Sequence, residues 1–548
     1  MKDNRPISRL RDTVIPTDLT NQLVLRIQNL PPSVKADYLK REFLSKYVSH
    51  ETDPPEVRRI RAINKWLATE RENEATNERL LITSEEYNLL PRVTFNRFVS
   101  WCRDFIRDII GDTPPIDSLI GTFSGGASTS RSRMRSSPSS KYVGEAHVTP
   151  SALGFFSTIV DEMPGWLGLA EPFSVKMVRG NVLFTVPKKT DIDRVACKEP
   201  DLNMFMQKGV GDYFRSQLRR SGINLNDQSI NQSLARKGSE NGSLVTLDLS
   251  SASDSVSEGL VALLLPECWF TLLDALRCRV TIIDGEEHRN HMFSSMGNGF
   301  TFELESLLFY TLTKATAYFT GTRGVVSVYG DDIICPANMS HDLIWVLQYF
   351  GFSTNVDKSC IEGPYRESCG GHYWNGFDIT PFYIREPIER LDQLIDVANK
   401  LRKWGESDSV NKLRSLDPNS WRRTEILDLA VEEIWLWLKC HIPSIFWGGG
   451  DLSFKYQLVS YDCPAFRLSE KRRSVDTGLG GYFHWLNATW DRTSLYEGVS
   501  TSKRTKSFAE RLELKKVRTT AVPRLPWIFL HEIAMTSGVA GEDSQNPA

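Results

Sequence analysis

The chain has 548 residues, of which 41% are apolar and 10% aromatic, and its 66 Lys and Arg against 68 Asp and Glu leave a net charge of −2. That length exceeds one compact core and predicts two or three lobes, and the near-neutral balance excludes a uniformly basic polyanion binder, so a polyanion must meet locally concentrated cations. Nine cysteines without a C-x-x-C pair read as reduced thiols, and no secretory h-region or apolar run of about 18 residues is present, so a cytosolic protein is expected.

Residues 1–110 read as mainly helical. Ile60, Ile63 and Leu67 recur at helical spacing among Arg58, Arg59, Arg61 and Lys65, which predicts an amphipathic helix packed on a larger body. Ser124 to Ser140 is rich in Ser, Gly and Arg, and is expected to be a mobile loop or one that orders on a polyanion. The β-like pattern from Val175 to Val186, interrupted at Gly180-Asn181, predicts a hairpin with Lys188 and Lys189 at its exit. Six cations lie between Lys176 and Lys198, including Arg194, and eight between Lys503 and Arg524; either cluster alone is equally a solvated face. Leu244 to Leu247 forms a short strand ending at Asp248, and a largely apolar helix from Glu303 to Phe319 follows Met296-Gly297-Asn298-Gly299.

Tyr329-Gly330-Asp331-Asp332 stands between the β-branched runs Val325 to Val328 and Ile333 to Cys335. This pattern predicts a tight hairpin with two adjacent carboxylates at its tip. Leu343 to Phe350 is helical and Thr354 to Ser359 extended, so strand, helix, hairpin, helix and strand make a small α+β sheet with helices on one face. Beyond Pro387 helical patterns return, with Trp404, Trp421, Trp435 and Trp437 available for core packing.

Adjacent acids repel and stay ionised together only beside cations, which makes Asp331 and Asp332 a divalent metal site to test. Joining two nucleotides needs negative charge neutralised at both the attacking hydroxyl and the departing pyrophosphate, and two hard cations held by carboxylates can do both. Asp248 is the third acid if its strand neighbours the hairpin; a helix cap is its other reading. Small residues follow it to Ser253, and Asp254 either accepts from a sugar hydroxyl or caps the next helix. Gly297 and Gly299 would let the chain pass close to a template base or entering nucleotide. Lys358 could protonate the departing pyrophosphate, a solvated surface group being the other reading of a lone lysine, and Lys188, Lys189, Arg194 and Lys198 would face a triphosphate.

These segments resemble the palm motifs of right-handed template-dependent polymerases and, more narrowly, the replicase β subunits of positive-strand RNA bacteriophages. The stretches that carry the resemblance are CKEPDLNMFMQKGVG (197–211), LNDQSINQ (225–232), DLSSASDS (248–255), MGNGFTFELES (296–306), YGDDIICP (329–336), RESCGGHY (366–373) and FWGGGDL (446–452). The resemblance implies a right-hand α+β fold with fingers, palm and thumb, the palm being a small antiparallel sheet. Residues 1–110 would be a helical region bridging to fingers and thumb, 111–240 fingers, 241–385 palm with a fingers-side insertion near 256–290, and 386–548 a mainly helical thumb and C-terminal region. It implies RNA-directed RNA polymerase activity with Asp248, Asp331 and Asp332 as ligands of two Mg²⁺ ions, for which Mn²⁺ can substitute. Lys358 becomes the general acid, while Lys188, Lys189, Arg194 and Lys198 grip the triphosphate. In the second palm motif Met296 stands where many RNA polymerases have Ser, Thr301 keeps its place beside the template, and Glu305 replaces Asn. Asn298 and Ser253 are therefore the residues expected to read the 2′-hydroxyl. Implied partners are RNA template and product, ribonucleoside triphosphates, host elongation factors Tu and Ts and, in some members, a host ribosomal protein, without a membrane, in the bacterial cytoplasm.

A reverse transcriptase would use the same three acids but needs a bulky aromatic about five residues past the first, where this chain has Ser253. A non-catalytic RNA-binding protein would leave the acids unexplained, because carboxylates at the centre of a polyanion site repel it unless metal is present.

Overall fold

The computed structural model describes residues 15–48, 53–119, 121–133, 136, 138–142, 144–161, 173–188, 191–355, 359–406, 418–442 and 458. The chain divides into two compact units, one of residues 33–386 with 496–498 and the other of 1–32, 387–495 and 499–548.

In the first unit a long helix, α1 (Pro55–Ile82), begins with Pro at its first position, where the missing amide costs nothing. Its buried face differs from the expected stripe: Ile63 is buried, but Ile60 is 48% exposed, and Trp66, Glu70, Asn73 and Leu80 continue the inward side. Polar residues can occupy that face because each finds a partner. Arg58 bonds Asp193 at 3.2 Å, and Glu70 accepts from the amides of His291 at 2.7 Å and Met292 at 2.8 Å.

Strand β1 (Asn181–Pro187) pairs antiparallel with β2 (Asp193–Lys198), so Lys188 and Lys189 sit in their connection. The hairpin expected from Val175 to Val186 does not form. Phe173–Met177 pairs in parallel with Gly144–Val148, and the chain changes sheets near Gly180, where a Cβ would lie 1.9 Å from the Val280 carbonyl oxygen. The described part of the Ser-rich segment is tied to the protein by hydrogen bonds. Ser128 Oγ donates to Asp201 Oδ1 at 2.5 Å, and the fully buried Lys141 ammonium donates to the carbonyls of Ser124 and Gly126, each at 2.7 Å.

Helices α2 (Asp201–Arg220) and α3 (Ser229–Asn241) lead into β3 (Leu244–Leu247). The hairpin of β4 (Val280–Ile283) and β5 (Glu286–Arg289) extends the β1–β2 sheet, whose order is β5-β4-β1-β2. Helix α4 (Thr301–Phe319) is buried along most of its length, and Thr311, Thr313 and Thr316 are accommodated because each hydroxyl donates to the carbonyl four residues earlier. The hairpin of β6 (Ser327–Tyr329) and β7 (Asp332–Pro336) then adds to β3, giving a three-stranded antiparallel sheet in the order β6-β7-β3. Helix α5 (Ser340–Tyr349) follows, and β8 (Tyr365–Ser368) pairs with β9 (Gly371–Trp374).

Alternation along the central strands sends Val245, Leu247, Ile333 and Cys335 into one large core shared with α4 and α5, whereas Leu244 and Ile334 meet Ala235 of α3 and Tyr373 of β9. The sheet edge that ends β3 and begins β7 is thus fixed from both sides. In the second unit, helices Leu391–Glu406 and Pro418–Cys440 pack together; Trp404 and Trp435 are buried and Arg26 lies 4.5 Å over Trp437. The side chain of Trp421, the glycine-rich 446–452 and the basic cluster at 503–524 lie outside the described residues.

Candidate active site

In β6 and β7 Tyr329 pairs with Asp332, leaving Gly330 and Asp331 as a two-residue loop. Gly330 has φ +60° and Asp331 has no positive φ, the signature of a II′ turn with glycine first. Leu247 of β3 pairs antiparallel with Ile333, so the register carries the next residue, Asp248, opposite Asp332. Sequence reasoning required these three carboxylates to meet at one sheet edge, and they do. Each is half-buried.

Crowding shows in their electrostatics. Burial pushes the Asp332 carboxyl up to about 7, helped by the charges of Asp331 and Asp248, with the Cys369 amide opposing. Such an accumulation of carboxylate oxygens suits a hard divalent cation. Among the described residues no three His, Cys, Asp or Glu side chains form a cage that could hold a metal ion. Magnesium rarely needs one, since it keeps waters and takes one or two carboxylates together with substrate phosphates.

Neighbours hold two of the acids. Asn355 Nδ2 donates to Asp248 Oδ2 at 2.9 Å, and the Asn355 amide donates to the Asp248 carbonyl at 2.8 Å. The Asp248 amide donates to Ser359 Oγ at 3.2 Å. Asp332 accepts from the Cys369 amide at 3.1 Å and from Ser368 Oγ at 3.3 Å. Cys369 (φ +50°) and Gly370 (φ +70°) form a tight turn between β8 and β9 that aims this amide at the acid. Sequence reasoning assigned none of these four residues a role, although a Ser-Cys-Gly-Gly turn between two β-prone runs was a legible signal.

Glu305 of α4 lies under the hairpin, and burial, with Asp331 among the nearby charges, drives its carboxyl well above the usual range. Ser253 Oγ donates to it at 2.6 Å. Two polar atoms nearer the sugar and phosphate candidates are buried without a hydrogen-bond partner, Asp254 Oδ1 and Asn298 Nδ2. Burial and then Glu70 push the Asp254 carboxyl up to about 7, against the opposing charges of Lys188, Lys65 and Arg194. Those three cations therefore face the acid, Lys188 and Arg194 being exposed. Lys198 lies 5.5 Å over the Phe184 ring. Lys189 and Lys358 are outside the described residues, although Asn355 and Ser359, which flank the latter, are both bonded to Asp248.

The residues expected beside the template serve packing in this structure. A Cβ on Gly297 would lie 2.1 Å from the Cys197 carbonyl oxygen, one on Gly299 would lie 2.7 Å from the Lys208 amide nitrogen, and Thr301 Oγ1 bonds Ser294 at 2.8 Å.

The raised Asp254 pKa has a measurable consequence. In the unfolded chain the acid ionises near its ordinary 3.8 and in the folded protein near 7, so folding opposes the charged form. That penalty is absent below the lower value, grows across the interval and is complete above it. Asp254→Asn is expected to raise the melting temperature at pH 8 more than at pH 5; an equal change at both would remove the ionic cause.

One aspartate at a strand end thus stands opposite a hairpin whose tip carries two more, in an α+β core, with the charges of Lys188 and Arg194 acting on the nearby Asp254. Residues 8–420 match the family model described as RNA replicase, beta-chain. The chain is 40% identical over 435 residues to the RNA-directed RNA polymerase beta chain of Escherichia phage MS2, covering 77% of this chain and 75% of that one. It is 39% identical over 422 residues to the RNA-directed RNA polymerase subunit beta of Escherichia virus Qbeta, covering 74% and 69%. Among solved structures, the RNA-dependent RNA polymerase of a human picorbirnavirus aligns with 85% of this chain and 90% of its own at 12% identity and a TM-score of 0.35. The chain belongs to the RNA replicase β-chain family of RNA-directed RNA polymerases. No described helix is long and apolar enough to cross a membrane.

Proposed function

We propose that this chain adds ribonucleoside monophosphates to an RNA 3′-hydroxyl as the catalytic subunit of a phage replicase, with Asp248, Asp331 and Asp332 as the metal-holding acids. The observation that carries the assignment is the β3–β7 register setting Asp248 opposite Asp332. Two Mg²⁺ ions, replaceable by Mn²⁺, would supply neutralisation of charge on the attacking hydroxyl and the departing pyrophosphate. The protein's own groups do the rest. Asn355 and Ser359 fix Asp248, and Ser368 and Cys369 fix Asp332. Lys188, Lys189, Arg194 and Lys198 offset triphosphate charge. As the 3′-hydroxyl gives its proton to solvent, the O3′–phosphorus bond forms and the bond to pyrophosphate breaks, Lys358 gives its own proton to the leaving oxygen. Asp254 Oδ1 and Asn298 Nδ2, each buried and unpartnered, suit an acceptor and a donor for ribose hydroxyls. The Ser253 hydroxyl, already engaged by Glu305, leaves room for the 2′-hydroxyl and disfavours a deoxyribonucleotide enzyme.

In domain terms, residues 111–240 serve as fingers, 241–385 as palm with the 256–290 insertion joined to fingers, 386–548 as thumb and C-terminal region, and 1–110 as the bridge. Site of action is the cytoplasm of the bacterial host, with elongation factors Tu and Ts and a ribosomal protein as host partners. Copurification from infected cells that returned none of these would remove that part of the reading.

The decisive assay supplies the purified replicase with RNA template, Mg²⁺ and either ribo- or deoxyribonucleotides. Ribonucleotide-only incorporation is expected; deoxyribonucleotide preference, or RNA retention without synthesis, would overturn the assignment. Template binding should also fall roughly 10³-fold between about 50 and 200 mM salt if about six phosphates are contacted. A flat profile would deny the cationic groups that electrostatic role.

A further inference from the structure

The stretch 225–232 has no task in the chemistry above, yet Asn231 within it, on α3, is 2% exposed and bonds three separate segments. Its Oδ1 accepts from Ser327 Oγ on β6 at 2.6 Å. Its Nδ2 donates to the Asp332 carbonyl oxygen on β7 at 3.3 Å and to Ser368 Oγ, at the end of β8, at 3.4 Å. One amide therefore spans both strands of the carboxylate hairpin and the turn that grips Asp332.

Proton direction gives this contact its meaning. A serine hydroxyl has one proton to donate. Because Ser368 Oγ accepts from Asn231, its own proton is free to point at Asp332 Oδ1, 3.3 Å away. The alternative acceptor, Cys369 Sγ at 3.8 Å, is the weaker one.

We propose that Asn231 is a positioning residue for RNA synthesis: acting through Ser368 and the Asp332 backbone, it fixes the orientation of the Asp332 carboxylate. The proposal rests on the reading of Asp332 as a metal-holding acid. A side chain that only fastened α3 to the sheet would instead lower thermal stability, RNA binding and rate together.

The test uses the replicase in the subunit composition in which the parent is active, with Asn231→Asp, which keeps the shape and loses the donor, Ser368→Ala, which removes one hydroxyl, and the double variant. Each single change is expected to lower nucleotide addition at saturating nucleotide about 10- to 100-fold, with the Mg²⁺ needed for half-maximal rate raised. RNA affinity and nucleotide KM should stay near the parent's, as should the melting temperature of Ser368→Ala, whereas Asn231→Asp sets a buried carboxylate oxygen against the Asp332 carbonyl and lowers the melting temperature without a matching loss of RNA binding. The double variant should be no slower than the slower single one, since both interrupt one relay. Rates within twofold of the parent, multiplicative losses in the double variant, or losses that track melting temperature and RNA binding would each overturn the proposal. Asp332→Asn, run alongside, separates the two readings. If it synthesises at the parent rate, the metal assignment fails; if it is inactive while the other variants match the parent, only the positioning role fails.

Discussion

Asp331→Asn is expected to abolish RNA synthesis, by roughly 10³-fold or more, while RNA binding changes little. The substitution is nearly isosteric and sits in a half-buried two-residue loop whose fold depends on Gly330, not on the carboxylate. What it removes is one of the two negative charges, those of Asp331 and Asp248, that add to burial in raising the Asp332 pKa. Several kcal/mol of transition-state charge stabilisation depend on such a ligand, and each 1.36 kcal/mol is tenfold in rate. Removing a negative charge can only help a polyanion approach. Filter binding and ribonucleotide incorporation on an RNA template, measured on one preparation, check both halves; retained synthesis at a tenth of the parent rate would be incompatible with a metal ligand.

Gly330→Ala should be nearly as damaging for a geometric reason. A Cβ there would stand 2.5 Å from Phe302 Cε2 and 3.1 Å from Glu305 Oε1, at a φ of +60° that disfavours any L side chain. Left-handed backbone costs about 1–2 kcal/mol and overpacking about 1–3 kcal/mol, so the loop or Phe302 must shift. A displacement of about 1 Å can cost 10²-fold in rate. Synthesis about 100-fold below the parent is expected with the melting temperature only modestly lowered, because the large core under α4 is untouched. Parent-like synthesis would show that the turn tolerates a side chain and that the acids are not rigidly placed.

The carboxylate edge was legible because its signals are local. A β-branched run, Gly-Asp, and a second β-branched run define the β6–β7 hairpin, and a short apolar run ending in Asp248 defines β3. What could not be read locally was pairing between distant segments. Nothing in Val175 to Val186 says that Phe173–Met177 joins Gly144–Val148 while β1 joins β2 and β4, because the switch is imposed by the approach of Gly180 to Val280. Ser124 to Ser140 is low in apolar residues, yet Ser128 bonds Asp201 of α2 and the Ser124 carbonyl accepts from the Lys141 ammonium. The helix α1 was expected, but Glu70 and Asn73 on its inward face were not, since partners separated by more than 180 residues satisfy them. The groups that hold Asp248 and Asp332 escaped notice for the same reason: Asn355, Ser359, Ser368 and Asn231 become meaningful only once folding brings them to the acids.

The account stands on metal ions shared by Asp248, Asp331 and Asp332. Crystals of the replicase soaked in Mn²⁺ with template RNA and a non-hydrolysable ribonucleoside triphosphate, measured for anomalous scattering, test this most directly. Two peaks a few ångströms apart, bonded to Asp248 and Asp331, are predicted, with both lost in Asp331→Asn. Peaks elsewhere, or none beside these acids while the nucleotide is bound, would contradict it.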